Sequence, residues 1–175
     1  MSELVLSLER FEAGEQAVLD REAVLTALSA HGAVFDELGW ATLACADGGQ
    51  AEISVSSFDD VYEAVVYLEQ LTPALSKVLF EAVTAASLCV TVAAVPDAPV
   101  LAASPAALEG LPDDDERPQP AVCWSADDFH TMLRHAAGSL ADDPLVPPIV
   151  EHPVETQPVD RADLLRQAFS RFRRP

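Results

Sequence analysis

The chain has 175 residues, half of them hydrophobic, and carries 10 lysines and arginines against 29 aspartates and glutamates. This length suits one domain with an appendage, and this hydrophobic fraction is enough to build a core. The formal net charge of −19 argues against a nucleic-acid-binding function, because phosphate contacts need clustered basic side chains.

The charge is unevenly distributed along the chain. Residues 161–175 hold five arginines and one aspartate, which leaves 5 bases and 28 acids, a net charge of −23, in residues 1–160. Such segregation predicts separate roles for the acidic body and the basic segment. An acidic body attracts basic partners and speeds their association. Acidity also serves solubility alone, and the composition is compatible with both interpretations.

Three stretches of the first half have the apolar alternation of strands. They are residues 3–8, 40–46 and 51–56. Asp47-Gly48-Gly49 joins the last two and predicts a hairpin, because glycine permits positive φ in the turn. Residues 15–30 carry apolar side chains at helical spacing and predict the first helix, which Gly32 ends.

Two further helices are predicted from their first residues. Ser57 and Asp60 have the spacing of a capping box, and apolar residues follow at helical intervals as far as Leu68. Thr72-Pro73 starts the next helix, because proline suits the first helical position. The β-branched run over residues 88–92 then predicts a central strand.

The rest of the body is predicted to form short elements. Short strands are expected at residues 100–101 and 122–124. Ser104-Pro105 opens a short helix. Ser125 and Asp128 form a second capping box, before a helix that is expected to stop at Gly138.

The last part of the chain is rich in proline and then in arginine. The five prolines between residues 142 and 158 exclude a helix or an interior strand, so residues 143–160 are predicted to form an extended linker. Residues 161–175 predict a basic amphipathic helix that docks on its own body, on a second copy or on a partner. The alternatives are a helix that lies on a membrane surface and a disordered basic tail held near the body by charge. Its predicted docking residues are Leu165, Arg166, Phe169, Phe172 and Arg173. Exchange of this arm between two copies would make a homodimer.

These patterns predict an α+β domain over residues 1–142. Its sheet is expected to be mixed, mostly antiparallel and of about five strands, with the helices packed on one side. The predicted core residues are Leu6, Val24, Leu28, Trp40, Val65, Leu68, Leu79, Val90, Val92 and Leu133.

The sequence contains no catalytic or cofactor motif. Seven glycines include no phosphate-binding loop, and Gly-x-Ser-x-Gly is absent. Cys45, Cys89 and Cys123 are scattered within apolar runs, which indicates small hydrophobic residues rather than disulfides or zinc ligands. His130 and His135 lie about 140° apart on their predicted helix and do not converge on one ion. We therefore predict no enzymatic activity, no cofactor and no metal site.

A partner-binding surface is predicted from acids and aromatic residues. The acidic run over residues 113–116 lacks the alternating acids and central glycine of a calcium loop, and a solvated loop tip fits it better. Such a tip can still belong to a partner-facing surface. The predicted partner-binding residues are Asp113, Asp114, Asp115, Glu116, Asp127, Asp128, Trp40 and Trp124.

The remaining expectations concern location. Met1-Ser2-Glu3-Leu4 lacks the basic start of a signal peptide. The longest apolar stretch, residues 82–95, contains polar residues and is too short to span a bilayer. A cytoplasmic protein with no membrane span is therefore expected.

Two segments carry a resemblance to a protein family. They are Phe58-Asp59-Asp60-Val61-Tyr62-Glu63-Ala64-Val65 and Val100-Leu101-Ala102-Ala103-Ser104-Pro105-Ala106-Ala107-Leu108. The arrangement resembles small acidic immunity proteins that protect bacteria from toxins delivered between competing cells. The resemblance covers about half the chain and implies an acidic face that plugs a basic cleft, with no inhibitory residues carried over. It favours an inhibitor of a basic toxin or effector, and the alternative is an adaptor or assembly protein that captures a partner or a second copy through its arm.

Overall fold

Eight strands and four helices form the described part of the chain, which in this computed structural model comprises residues 4–57, 60–93, 95, 97–113 and 119–141. The strands are β1 (Leu4–Glu12), β2 (Glu15–Ala17), β3 (Trp40–Ala44), β4 (Gln50–Val55), β5 (Glu63–Gln70), β6 (Cys89–Val92), β7 (Leu101–Ala102) and β8 (Ala121–Val122). The helices are α1 (Arg21–Ser29), α2 (Pro73–Ala85), α3 (Pro105–Glu109) and α4 (Ala126–Ala141). The predicted linker over 143–160 and the basic segment 161–175 lie outside the described residues.

All eight strands belong to one sheet with the order β3-β4-β5-β1-β6-β7-β8, and β2 pairs separately with β1. Every pairing is antiparallel except that of β7 with β8. The predicted α+β class with a mixed, mostly antiparallel sheet is therefore confirmed. The strand count is eight rather than about five, because β2 and β5 were expected to lie within helices.

One face of this sheet is covered by three helices. Alternate residues of the strands, including Leu6, Ile53 and Val66, are fully buried there in one cluster with residues of α1, α2 and α4. Helix α2 lies between the other two and contacts both. Each fully buried aliphatic side chain contributes about 1.5–3 kcal/mol, so this face holds most of the stability of the domain.

Local capping chemistry explains where the helices begin. The Thr72 hydroxyl accepts a hydrogen bond from the Leu75 N–H at 3.3 Å, directly before Pro73, and the Ser125 hydroxyl accepts one from the Asp128 N–H at 3.1 Å. Both helix starts were predicted. The predicted end of α4 at Gly138 is wrong: the helix continues to Ala141, because an interior glycine costs only about 1 kcal/mol and does not by itself end a helix.

The first helix begins later than predicted. Residues 15–17 form β2 and pair with residues 10–12 of β1, and Asp20 then caps α1 by accepting a hydrogen bond from the Ala23 N–H at 3.0 Å. Residues 15–17 are Glu-Gln-Ala and lie before the first apolar residues of the predicted helix, so periodicity did not define where the helix starts.

The predicted helix after Ser57 is wrong, because this segment contains β5. Strand β5 pairs with β4 on one side and with β1 on the other. Its buried residues alternate with half-exposed ones, and the run Ala64-Val65-Val66-Tyr67-Leu68 favours a strand through its β-branched and aromatic residues. Val61, Val65 and Leu68 also fit helical spacing, so the apolar pattern is compatible with a helix and with a strand. Pairing with β1 and β4 on the two sides favours the strand.

Among the described residues, the opposite face of the sheet is covered only near β6 and β7. There the short helix α3 packs on Cys89, whose thiol donates a hydrogen bond to the Ala107 carbonyl at 3.2 Å. Gly110 ends α3 so close to β1 that a Cβ would lie 2.1 Å from the Phe11 carbonyl oxygen. Three helices therefore share one side of the sheet as expected, while α3 lies on the other.

Eight of the ten predicted core residues are buried on the helix-covered side. Trp40 and Val65 are instead half-buried, because both face the opposite side of the sheet. No helix within the described ranges is both long and apolar enough to cross a bilayer.

Candidate functional site

The part of the sheet surface beyond α3 is the strongest candidate site, and we call it the open face. It is formed by alternate residues of four neighbouring strands. They are Trp40 and Thr42 of β3, Glu52 and Ser54 of β4, Glu63, Val65 and Tyr67 of β5, and Val5, Ser7 and Glu9 of β1.

Strand register places these side chains in rows across the sheet. Trp40 pairs with Ser54, Ser54 with Val65, and Val65 with Ser7. Directly paired residues have Cβ atoms about 4.5–5.5 Å apart. Because serine is short, the longer side chains of the neighbouring rows project beyond Ser54 and Ser7. Ser54, Val65 and Ser7 therefore form the low middle of the open face, with two hydroxyls and one apolar side chain.

Two aromatic rings border this middle at the β3 end. The rings of Trp40 and Tyr67 are stacked, with centroids 5.9 Å apart and planes inclined by 19°. These residues lie on β3 and β5, on either side of β4, and their partners on β4, Ser54 and Glu52, are two positions apart. Both side chains are long enough to meet over β4, and the stack presents an apolar platform.

The loop before β3 fixes the position of Trp40. The Asp36 carboxylate accepts hydrogen bonds from the N–H groups of Leu38 and Trp40, both at 2.9 Å. Gly39 has φ of +84° and lies so near β4 that a Cβ would stand 1.9 Å from the Val55 carbonyl oxygen. The same loop leaves the Leu38 side chain 72 % exposed two residues before Trp40, which adds apolar surface at this edge of the sheet.

Carboxylates border the other side of this low middle. Glu63 accepts a hydrogen bond from the Ser7 hydroxyl, and Glu9 accepts hydrogen bonds from Gln16 Nε2 at 2.9 Å and Thr91 Oγ1 at 3.3 Å. Burial raises the pKa of Glu63 above its ordinary 4.5, and the hydrogen bond from Ser7 offsets part of the rise.

Glu9 and Glu63 are also direct partners in the β1–β5 pairing. Like charges directly opposite each other destabilise a sheet. With Glu52 they give the open face three carboxylates, and none of its defining positions carries lysine or arginine. A cationic group brought to this face would therefore meet three carboxylates.

The predicted partner-binding residues are not gathered in one place. Trp40 lies on the open face, whereas Trp124 follows β8 at the far end of the strand order and is 73 % exposed. The Asp128 carboxylate accepts a hydrogen bond from the Trp124 N–H at 3.1 Å, so Asp128 acts as a cap there. Asp127 is exposed in the same first turn, and Asp113 is exposed before β8.

Some predicted site residues fall where the structure gives no description. Asp114, Asp115 and Glu116 lie outside the described residues, as do Leu165, Arg166, Phe169, Phe172 and Arg173. Conversely, Glu9, Glu52, Glu63 and Tyr67 were not predicted as site residues. The signal that would have found the last two is the two-residue alternation within Glu63–Leu68, which places both on one face of a strand.

Other polar pairs join elements of the domain. Ser76, fully buried on α2, is hydrogen-bonded to His130 Nδ1 of α4 at 2.8 Å, and His31 Nε2 contacts Glu81 at 2.6 Å. The Asp47 carboxylate accepts hydrogen bonds from the Ala74 N–H at 3.0 Å and the Thr72 hydroxyl at 2.8 Å, and these lower its pKa. Each pair ties a loop or helix in place.

Groups suited to metal binding or nucleophilic chemistry do not converge in the described ranges. No set of three or more histidine, cysteine, aspartate or glutamate side chains there is arranged to hold a metal ion. Burial raises the pKa of Cys89 and of Cys123 to about 11. Both thiols are therefore protonated at neutral pH, whereas a nucleophilic cysteine needs a lowered pKa.

Comparison with protein-family models, with curated proteins and with solved structures finds no match. Function is therefore inferred from the geometry and charge of this chain.

Proposed function

We propose that this protein is a non-enzymatic acidic protein-binding domain whose open face binds a basic segment of a partner protein. The observation that carries the proposal is the composition of that face: a stacked aromatic pair and a low middle of serine and valine, with three glutamates and without a basic side chain at its defining positions. Binding surfaces typically combine an aromatic anchor with a polar rim in this way.

The two parts of the face have different tasks in binding. The Trp40–Tyr67 platform offers apolar contact and a ring face over which an arginine can stack, which is worth about 0.5–1 kcal/mol at an exposed site. Glu9, Glu52 and Glu63 attract the partner's positive charge and increase the association rate. The wider charge of −23 on residues 1–160 extends this attraction beyond contact distance.

The sharpest form of the proposal is an immunity or inhibitor protein that neutralises a basic toxin or effector. The acidity of the body and the resemblance to small acidic immunity proteins support it. Of the two segments behind that resemblance, residues 100–108 form a short strand, a Ser-Pro turn and a helix. The other segment leads into β5 instead of a helix, so the support from that segment is weaker.

The alternative is an adaptor or assembly protein. The segregation of five arginines into residues 161–175 favours it, because a basic segment on a proline-rich linker is suited to capturing a partner or a second copy. In this case deletion of the arm abolishes assembly while the body remains folded.

The binding function is tested with a synthetic amphipathic peptide of leucine and lysine, using a leucine–glutamate peptide of the same pattern as the negative control. Binding to the full chain is measured by isothermal titration calorimetry at two salt concentrations. We expect only the basic peptide to bind, and its affinity to fall with salt because salt screens exposed charges.

A pair of triple variants locates the binding surface. The open-face variant is Glu9→Gln/Glu52→Gln/Glu63→Gln. The control is Glu22→Gln/Glu81→Gln/Asp127→Asn, which removes the same charge from α1, α2 and α4 on the other side of the sheet. We expect the open-face variant to lose up to about tenfold in affinity, since exposed charge pairs contribute up to about 1 kcal/mol each, and the control to bind like the unchanged protein. Equal losses in both variants would contradict a specific role for the open face.

A further inference from the structure

We propose that the open face is the docking site of the chain's own basic segment, residues 161–175, which occupies it within the same molecule and competes with a partner. The proposal rests on the binding function above and adds its regulation. It joins a described surface, the open face, to the only strongly basic stretch of the sequence.

The first argument is charge complementarity. Outside residues 161–175 the chain has only 5 basic residues against 28 acids. The open face presents three glutamates and no lysine or arginine, and two of those glutamates, Glu9 and Glu63, are paired directly across strands. Arginine is well suited to this surface because its planar guanidinium both pairs with carboxylates and stacks on aromatic rings.

The second argument is the match of apolar residues. Residues 161–175 combine their arginines with Leu164, Leu165, Phe169 and Phe172. The open face offers Trp40, Tyr67, Val65 and Val5 as half-buried side chains next to the carboxylates. A segment that is both apolar and basic can therefore pack on the Trp40–Tyr67 platform and pair with the glutamates at the same time. A purely basic or purely apolar segment makes only one of these contacts.

The third argument is reach. Nineteen residues, 142–160, separate the end of α4 from Arg161. A proline-rich chain extends about 3.1 Å per residue, so these residues span up to about 60 Å. A domain of this size has a radius of gyration of about 14 Å. The linker is therefore long enough to pass from the helix-covered side around the sheet edge to the open face.

Docking within one molecule has a quantitative consequence. A tethered segment sees its site at an effective concentration of about millimolar. Even a segment that binds weakly on its own then occupies the face most of the time, and an external basic partner must displace it. Removing or neutralising the segment should strengthen partner binding without changing the open face.

The test uses four proteins and two peptides. The proteins are the full chain, a chain that ends at Ala141, and the open-face triple variant of that shortened chain. The fourth is a full-length control in which length is kept but charge is removed by Arg161→Gln/Arg166→Gln/Arg171→Gln/Arg173→Gln/Arg174→Gln. The shortened chain is suitable because every residue of the described core lies between Leu4 and Ala136, and its circular dichroism and urea unfolding check that it folds. The peptides are the leucine–lysine peptide and a synthetic copy of residues 161–175.

We expect the 161–175 peptide to bind the chain ending at Ala141, and the open-face triple variant made in that shortened chain to bind it about tenfold more weakly. The leucine–lysine peptide should bind the shortened chain and the five-glutamine control about tenfold or more tightly than it binds the full chain. The reason is that the competing segment is absent from the first and neutralised in the second. The full chain should be a monomer by light scattering.

The remaining outcomes separate this inference from the proposed function. Binding of the leucine–lysine peptide to the open face without binding of the 161–175 peptide overturns the docking proposal and leaves the binding function standing. Binding of the 161–175 peptide alone supports the docking proposal and contradicts a general role in capturing basic partners. A dimer of the full chain that dissociates on truncation at Ala141 overturns docking within one molecule.

Discussion

The two faces of the same sheet are built for different purposes, and strand β5 shows this within two residues. Val66 faces the helices and is fully buried, whereas its neighbour Val65 faces away and is half-buried. The helix-covered face is one continuous apolar cluster, and the helices of the domain itself bury it. The open face combines aromatic rings, hydroxyls and carboxylates held close together. Stability is therefore concentrated on one side, which leaves the other side available for binding.

The largest expected difference between the faces is in stability. Val66→Ala removes two fully buried methyl groups and leaves a cavity, so we expect the free energy of unfolding to fall by about 2–3 kcal/mol. Val65→Ala makes the same chemical change on the same strand at a half-buried position, and about 1 kcal/mol or less is expected. Urea denaturation measures both. Equal losses would show that the open face is as well packed as the covered one.

The next effect concerns a buried polar contact under the helices. Ser76→Ala deletes the hydroxyl that is hydrogen-bonded to His130 Nδ1 and leaves the imidazole without that partner between α2 and α4. We expect a loss of about 1–2 kcal/mol in unfolding free energy.

Ser54→Ala is the matched control for this change, because Ser54 is half-buried on the open face. Its effect should be within about 0.5 kcal/mol. A Ser54→Ala variant destabilised as much as Ser76→Ala would argue against the distinction between the faces.

The sequence predicted the covered side of the sheet better than the open side. The hairpin around Gly48, the proline start of α2 and the Ser125 cap of α4 each depend on local turn or capping chemistry, and all three were predicted. Strand β5 was not, because its apolar residues fit both a helix and a strand, and pairing with β1 and β4 decided the outcome. That single error concealed the open face, since Glu63, Val65 and Tyr67 share a face only in a strand.

The site residues predicted from composition illustrate the same limit. Acid runs and exposed aromatics are visible in a sequence, but their relative positions depend on strand order, which local patterns do not specify. Trp40 and Trp124 were grouped for their chemistry, but Trp40 lies in the edge strand β3 and Trp124 follows the opposite edge strand, β8. Glu9 and Glu63 lie 54 positions apart in sequence and became neighbours only through β1–β5 pairing.

A smaller effect on stability is expected from the ionisation of Glu63 on the open face. Burial raises the pKa of Glu63, so the folded state binds a proton more readily than the unfolded state does. The contribution of Glu63 to stability is fully present below its ordinary pKa of 4.5 and is lost as pH rises through the folded pKa. Glu63→Gln removes this ionisation and the repulsion from Glu9.

We therefore expect Glu63→Gln to stabilise the domain near pH 7 by about 0.2–1 kcal/mol, the range for a cross-strand pair. The advantage over the unchanged protein should shrink near pH 5, and urea unfolding at both pH values measures it. The same variant should bind the leucine–lysine peptide more weakly. If Glu63→Gln instead lowered the free energy of unfolding near pH 7, the charged form of Glu63 would stabilise the fold, which contradicts this prediction.

The most direct test of the open face as the binding surface uses the two tryptophans of the chain, which lie at opposite edges of the sheet, Trp40 in β3 and Trp124 after β8. In a nitrogen-15-labelled chain ending at Ala141, each indole N–H gives its own NMR signal, and Trp40→Phe and Trp124→Phe assign them. The leucine–lysine peptide is then titrated in. The account predicts that the Trp40 signal shifts in a saturable way while the Trp124 signal stays in place. A shift of Trp124 with an unmoved Trp40 would contradict it and move the binding surface to the start of α4.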